Sequence, residues 1–576
     1  LKYRWVYRET NEELKDQISK ELGISPVLAN LLVNRGISTP SAASHFIKPY
    51  LKDLHDPFSM KDMEKSVTRI IKALKEDERI MIYGDYDADG ITTSALFINF
   101  FKCLEKEVDF YIPNRFREGY GLNADAINKI HERGTDLIIT GDCGINACEE
   151  VELANRLGMD IIITDHHEPV PPCPDAYAIL NPKQEDCPYP FKDLAGVGVA
   201  FKLIIALRSE LRKDEYSIKD LPNLKEYLDI VSIGTISDMS PLIDENHNMT
   251  KYGLKELTKS SNIGIEALKE VSGINGKDIG ISDVGFILAP RINSAGRLGD
   301  ASVGVELFTT HDRKRALEIS AMLDRTNRER QLIQETIFRE AREIIESNTS
   351  SIEDENVTVL SSPKWHQGVI GIVASRLAEE YYRPTILISI EGESAKGSAR
   401  SIRSFNIYEA LFECRDLLSN FGGHEFAAGI ALETKDISRF IQRFQEVVDK
   451  RIKKEDLSPS MTIDARIDFK ELTADLIGNI ENMGPFGLAN PEPLFSAHGI
   501  EILGKPKLIG AKENHLKMKL KQGSHVFDSI GFNMVDKIEE IKNCLIDVAF
   551  IPEINRWNGS SSIRLRLKDI KITQYN

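Results

Sequence analysis

Seven acidic or imidazole side chains stand just past three short apolar runs: Asp85, Asp87 and Asp89 in GDYDADG, Asp142 in GDCG, and Asp165, His166 and His167 in TDHHE. Carboxylates gathered at one point repel, and each raises its neighbours' pKa unless something positive sits among them. Oxygen ligands joined by one or two imidazoles suit Mn²⁺ or Mg²⁺ better than a thiolate-preferring metal. Two such ions, roughly 3.5–4 Å apart, need about this many ligands, and ion pairs of that kind drive phosphoester hydrolysis by lowering the pKa of a water. Taken singly, Asp85 could cap a turn, Asp142 could cap a helix, and the histidines could be surface residues. The same feature at three strand ends favours a metal centre.

Those side chains need elements to aim them. The runs RIMIYG (79–84), DLIITG (136–141) and DIIIT (160–164) are separated by helix-length segments, the pattern of buried parallel strands in an α/β unit. In an open parallel sheet the C-terminal strand ends face one crevice, where ligands bind. ITTSALFINFFKCL and the segment 146–157 read as helices between the strands. The stretch 311–346 has no Gly or Pro and carries apolar residues at helical spacing, which predicts a long helix linking two domains. A second α/β pattern follows in NVTVLSS, GVIGIVASRLAEE and TILISI. From about 461 onward, KLIGA, LKMKLK, DVAFIPEI and SIRLRLKDIKI alternate as strands do, which fits a small closed β-barrel. There Lys505, Lys507, Lys512, Lys517, Lys519 and Lys521, with His515, Phe527 and Phe532, read either as a solvated strand face or as a basic, aromatic-bearing surface for a single strand.

Composition narrows the classes. The 576 residues carry 73 Lys+Arg against 89 Asp+Glu, a net charge of -16, with 41% apolar and 28% charged residues. These are ordinary values for a globular protein and poor ones for a disordered chain. No run approaches the roughly 18 apolar residues of a membrane span. The first residues, LKYRWVYRETNEELKDQ, do not resemble a secretory signal. Seven cysteines without a CxxC pair read as reduced thiols in the cytoplasm. No GxxxxGK[ST] or HExxH is present, and no GxGxxG joins a strand to a helix. GVGVA (196–200) reads as a tight turn or a helix-packing site.

These motifs resemble the DHH phosphoesterase superfamily, named for the triplet present here as Asp165-His166-His167, and within it the single-strand-specific 5′→3′ DNA exonucleases. YGDYDADGITTSA, TGDCGI, TDHHEP and GTISDMSPL are similar to the first four motifs of that branch. RINSAGRLGDA (291–301) is similar to the signature after the catalytic domain, and WHQGVIGIVASR (365–376), KGSARS (396–401) and FGGHEFAAG (421–429) to a DHHA1-type domain. The resemblance implies an α/β fold: an N-terminal helical segment (1–75), a DHH parallel-sheet catalytic domain (76–305), a long linking helix (306–350), a DHHA1 domain (351–455) and a C-terminal barrel of the oligonucleotide-binding (OB) type (456–576).

Carried over motif by motif, it implies that Asp87, Asp89, Asp142, His166 and Asp238 ligate two Mn²⁺ or Mg²⁺ ions. Asp165 and His167 would orient them, and Asp85 would assist as a ligand or by holding a metal water. Many members have His where this chain has Tyr83, a poor ligand, which leaves open whether both metal positions fill without substrate. Positive groups must bring DNA to so acidic a site, and Arg115, Arg291, Arg297 and Arg400 suit that task, since a guanidinium pairs with phosphate through two parallel bonds. Asn293 belongs to the same signature. Ser398 and His424 would bind a terminal 5′-phosphate. The implied protein is a cytoplasmic monomer acting on single-stranded DNA in repair and recombination, with single-strand-binding protein and a helicase as partners and no membrane. The alternative is a DHH/DHHA1 phosphodiesterase for short oligoribonucleotides or cyclic dinucleotides.

Overall fold

The computed structural model describes residues 3–213, 221–347, 355–541, 544–557 and 560–573. The apolar runs become strands. Ile80–Gly84 (β1), Asp109–Tyr111 (β2), Leu137–Gly141 (β3), Asp160–Thr164 (β4) and Ala178–Leu180 (β5) pair in the order β2-β1-β3-β4-β5, all parallel. β1 and β3 are buried along their whole length, which is why their sequences are nearly continuous apolar runs rather than alternating ones. The order reverses at β1, so the crevice beyond the C-terminal ends of β1 and β3 is the switch point where such sheets bind ligands. Ala88–Cys103 (α1), Gly196–Lys213 (α2) and Leu228–Ser237 (α3) pack on one another beside the sheet. Ala289–Leu298 (α4) follows a π-helical turn, and Arg313–Ser347 (α5) is the long helix that the Gly- and Pro-free stretch predicts.

Packing divides the chain into two units. The larger comprises Tyr7–Gly296, Asp300–Met322 and Thr462–Asn576, and so unites the parallel sheet with the helices before it and the C-terminal region. Its C-terminal part is a closed five-stranded barrel of Phe495–Ile509, His515–Gln522, His525–Gly531, Ser560–Ile572 and Ile546–Trp557, the last pairing back onto the first. Closure leaves no free sheet edge. The helices Glu12–Leu22, Pro26–Val33 and Pro40–Ile47 bury Ile18, Leu28, Leu31 and Leu32 in one core with Phe469, Leu516, Leu520 and Phe550 of that C-terminal region. Polar contacts fix the junction: Asn34 Nδ2 donates to the Asp464 carbonyl at 2.9 Å, and Arg35 Nε to Asn490 Oδ1 at 2.7 Å.

The smaller unit comprises Leu1–Val6, Arg297–Gly299 and Leu323–Met461. Its sheet runs Asn420–Gly423, Ala427–Glu433, Ser394–Arg400, Thr385–Glu391, Thr358–Ser362, antiparallel except for the last pair. No helix among the described residues is long and apolar enough to cross a membrane.

Candidate metal centre

β1 ends at Gly84, and the chain turns through Asp85 and Asp87 into α1. Asp87 caps that helix, its Oδ1 accepting from the N–H groups of Asp89 at 2.9 Å and Gly90 at 3.1 Å. Helix N-termini favour negative charge, so this turn tolerates crowded carboxylates. Asp142 follows β3 with φ +65°, a left-handed conformation that aspartate adopts more readily than most residues. Asp165, His166 and His167 follow β4, and Asp238 follows α3.

The side chains converge. His166 Nε2 lies 3.1 Å from Asp142 Oδ1 and 3.9 Å from both Asp89 Oδ2 and Asp238 Oδ2. Three sets of possible ligand atoms each fall within 4.8 Å: Asp89–His166–Asp238, Asp85–Asp87–Asp142, and Asp142–His166–His167. Asp85 Oδ1, Asp142 Oδ1 and His166 Nε2 are buried with no hydrogen-bond partner. Although Asp142 and His166 approach to 3.1 Å, they are not aligned for a bond to each other. Orphaned lone pairs sharing one point are costly without a cation and well used with one. Burial first, then mutual repulsion, pushes the Asp89 and Asp142 carboxyls well above the ordinary range, and burial with Asp87 does the same to Asp85. Burial also raises Asp238 and lowers His166. Oxygens and a neutral imidazole, with no thiolate among them, fit a hard divalent ion such as Mn²⁺ or Mg²⁺.

Around these atoms lies a layer of positioning contacts. Asp165 is buried and fully engaged: it accepts from the backbone N–H groups of Ile145, His166 and His167 and lies 2.8 Å from His167 Nδ1. Burial alone would raise its pKa, but these partners hold it below the usual carboxylate range. Burial alone would lower His167, but Asp165 outweighs it and raises the imidazole to about 9.

Two backbone donors escape motif reading. The N–H groups of Gly196 and Val197, at the start of α2, reach Asp89 at 2.7 and 2.9 Å. GVGVA is therefore neither a turn nor only a packing site. Its first glycine lets Asp142 approach, since a Cβ there would lie 2.7 Å from Asp142 Oδ1.

Tyr83 turns out to serve elsewhere. Its buried ring stacks on Tyr111 at 5.4 Å, and its hydroxyl donates to the Gly121 carbonyl at 2.9 Å and accepts from Asn123 at 3.2 Å. It anchors the loop that carries Arg115 and Tyr120. The Arg115 guanidinium lies 5.0 Å from the Tyr86 ring, and the Tyr120 hydroxyl donates to the Asp142 carbonyl at 3.2 Å. Asn293 accepts from the Ala88 N–H at 2.8 Å, between Asp87 and Asp89, a positioning contact. Arg291 donates to the Ile287 carbonyl on its own helical run. In the smaller unit, Arg297 donates to the Gly368 carbonyl at 3.1 Å. Arg400 reaches Ser398 Oγ and Ser375 Oγ, both at 3.0 Å. His424 is exposed in the hairpin next to Ala427, the residue paired with Arg400.

On the barrel, Lys505, Lys507, Lys512, Lys517 and Lys519 are exposed, and Lys507 pairs directly across from Lys517. Lys521 is engaged by Glu501 at 2.8 Å. Phe532 is exposed beside His515, whereas Phe527 packs edge-on against the core residue Phe469.

Comparison with known proteins agrees with this layout. Residues 79–235 match the DHH family N-terminal domain, 354–454 the DHHA1 domain and 463–569 the RecJ OB domain. The chain is 41% identical to the single-stranded-DNA-specific exonuclease RecJ of Bacillus subtilis, over 100% of this chain and 71% of the relative. It is 36% identical to the Escherichia coli protein of that name, covering 95% of this chain and 96% of the relative. The crystal structure of RecJ in complex with Mn²⁺ from Thermus thermophilus superposes with a TM-score of 0.83 at 28% identity, covering 100% of this chain and 80% of that one. The Mg²⁺ complex from the same organism gives 0.76 at 26% identity, covering 100% and 79%. The chain therefore belongs to the RecJ family of single-stranded-DNA-specific exonucleases.

Proposed function

We propose that this chain is a metal-dependent exonuclease that degrades single-stranded DNA from the 5′ end and releases 5′-mononucleotides, in DNA repair and recombination. The observation that carries the reading is the convergence of orphaned Asp85, Asp142 and His166 atoms with Asp87, Asp89 and Asp238 at the switch point of the sheet. Asp89, His166 and Asp238 would hold one Mn²⁺ or Mg²⁺ ion, and Asp85, Asp87 and Asp142 a second. Bound there, such ions supply a water of lowered pKa and offset charge building on the phosphate oxygens. Asp165 holds His167 in place, and the N–H groups of Gly196 and Val197 hold Asp89.

Arg115, Arg291, Arg297 and Arg400 deliver the DNA backbone, with Asn293 steadying the Asp87–Asp89 turn. Ser398, Arg400 and His424 bind the terminal 5′-phosphate and so set polarity; Ser398 and Arg400 share one strand, and His424 lies in the hairpin that leads into the strand paired with it, which supports that role. The domain limits we assign are 1–75, 76–305, 306–350, 351–455 and 456–576. A cytoplasmic monomer working with single-strand-binding protein and a helicase completes the reading. Short oligoribonucleotides or cyclic dinucleotides as substrates would leave the barrel without a task.

The test uses single-stranded DNA labelled at either end, with Mn²⁺, beside an Asp87→Ala/Asp89→Ala variant. Immediate release of the 5′ label as mononucleotide and gradual shortening of 3′-labelled strands, both absent in the variant, are expected. Intact DNA alongside consumed di- to pentaribonucleotide would overturn the reading.

A further inference from the structure

Two large apolar side chains are displayed to solvent near the end of α3, where Asp238 stands: Phe286 is 81% exposed and Met239 71%. Both sit on irregular backbone. Met239 directly follows Asp238 and holds φ +59°, a conformation that a residue with a Cβ keeps only when its surroundings enforce it. Phe286 lies in the middle of the π-helical turn Val284–Leu288, where the Ala289 N–H reaches back five residues to the Val284 carbonyl. Wide turns of this kind collect at functional sites.

The turn is tied to the cluster at both ends. It runs into α4, whose Asn293 holds the Ala88 N–H. A Cβ on Gly296 of that helix would lie 2.3 Å from the Tyr86 carbonyl oxygen. At its other end a Cβ on Gly285 would lie 3.9 Å from Ile236, two residues before Asp238. The π turn and the end of α3 therefore adjoin, and each carries one uncovered apolar side chain, that of Met239 directly after Asp238. Single exposed apolar residues are common, but a pair on strained and widened backbone at a charged site is not explained by chance exposure.

An exonuclease that accepts any sequence must hold its strand by features that every nucleotide shares. Phosphates are one and the flat face of the base is the other, which is why single-strand grooves pair charge with aromatic platforms. The carboxylate–imidazole cluster addresses the phosphate. Resting on the exonuclease reading above, we propose that Phe286, flanked by the adaptable thioether of Met239, is the stacking platform for the base beside the scissile phosphate.

The test follows digestion of 3′-labelled oligothymidylates, each with one abasic residue at a different position, by the full chain with Mn²⁺. With the native protein the ladder should pause at one fixed register from the abasic residue, the step there about ten-fold slower, the scale of one lost base–aromatic stack. Phe286→Ala should slow every step on intact oligothymidylate by a similar factor and show no added pause at the abasic residue, because the platform is already gone. Phe286→Trp should restore both the rate and the pause, and Met239→Gly should weaken the pause. An undiminished pause in Phe286→Ala, or native rates throughout, would overturn the proposal. So would an unchanged ladder with self-association lost from Phe286→Ala, which would assign the patch to a second copy of the chain. If the native protein degrades no single-stranded DNA at all, the exonuclease reading itself falls and the platform with it.

Discussion

Asp165 shows how a residue can matter to a metal centre without offering it an oxygen. Its carboxylate is taken up by three backbone N–H groups and the His167 ring, so it fixes the strand-end turn from which His166 reaches the cluster. Partners of this kind are worth about 10–100-fold in metal affinity or activity. Asp165→Asn should show a loss of that size in Mn²⁺ titration calorimetry and in nuclease rate, with the fold retained by circular dichroism. Tyr83 makes the opposite case, a residue in a ligand's sequence position whose hydroxyl is committed to Gly121. Tyr83→Phe should cost about 1 kcal/mol in denaturant unfolding, the net value of one hydrogen bond, and leave Mn²⁺ affinity unchanged. A fall in affinity would make the hydroxyl a ligand after all. The carboxylates and histidines were legible in the sequence because acidic residues at apolar strand ends are a local pattern. The Gly196 and Val197 donors were not, because a backbone N–H carries no residue signature.

Helices in the larger unit are joined by polar contacts that hydrophobic packing alone would not require. Lys202 on α2 and Glu245 on the helix Asp244–Thr258 are both fully buried, 2.7 Å apart, with the Tyr189 hydroxyl donating to the same carboxylate. Removing one partner strands a buried charge, which typically costs about 3–5 kcal/mol. Lys202→Met should lose that much in urea unfolding, and adding Glu245→Leu should recover most of it.

His247, on the same helix, stacks on Phe46 at 4.7 Å and meets the Met483 carbonyl at 3.1 Å, joining an N-terminal helix, the catalytic part and the C-terminal region. Burial, then nearby Lys251, pushes its pKa down to about 4. The folded state therefore holds it neutral where the unfolded chain, near 6.5, would bind a proton. The stability it contributes is complete above about pH 6.5 and is lost as pH falls through 4, on the order of 3 kcal/mol. His247→Gln should flatten the decline in melting temperature between pH 7 and 4.5.

At the scale of the whole molecule, residues between Leu14 and Ile47 and between Ala465 and Ile570 build one core, in the same compact unit as the parallel sheet. The barrel so anchored exposes Lys507 directly opposite Lys517. Like charges facing across a ladder destabilise it unless an anion lies between them. Lys517→Ala should weaken single-stranded DNA binding evenly across sequences. It should also lower the slope of log affinity against log salt by about 0.7, the share of one phosphate contact on a single strand. Fluorescence anisotropy at three salt concentrations would measure it, and an unchanged slope would return the pair to a merely solvated face.

What the sequence determined by itself was whatever local pattern encodes. Near-continuous apolar runs separated by helix-length segments are the pattern of a parallel sheet buried on both faces, so β1, β3 and β4 and the acids that follow them were readable in order. Thirty-five residues without Gly or Pro had to be one long helix. Tertiary structure alone decided the rest. It brought Leu28 and Leu31 into one core with residues more than four hundred positions away, turned Tyr83 toward its loop, set the start of α2 against Asp89, and widened the helix under Phe286. The reason is physical. Period and composition report only which side of an element is buried, whereas the partner on that side is chosen by the closing of a whole core, and the strain at Met239 and the π turn exists only once that core has closed.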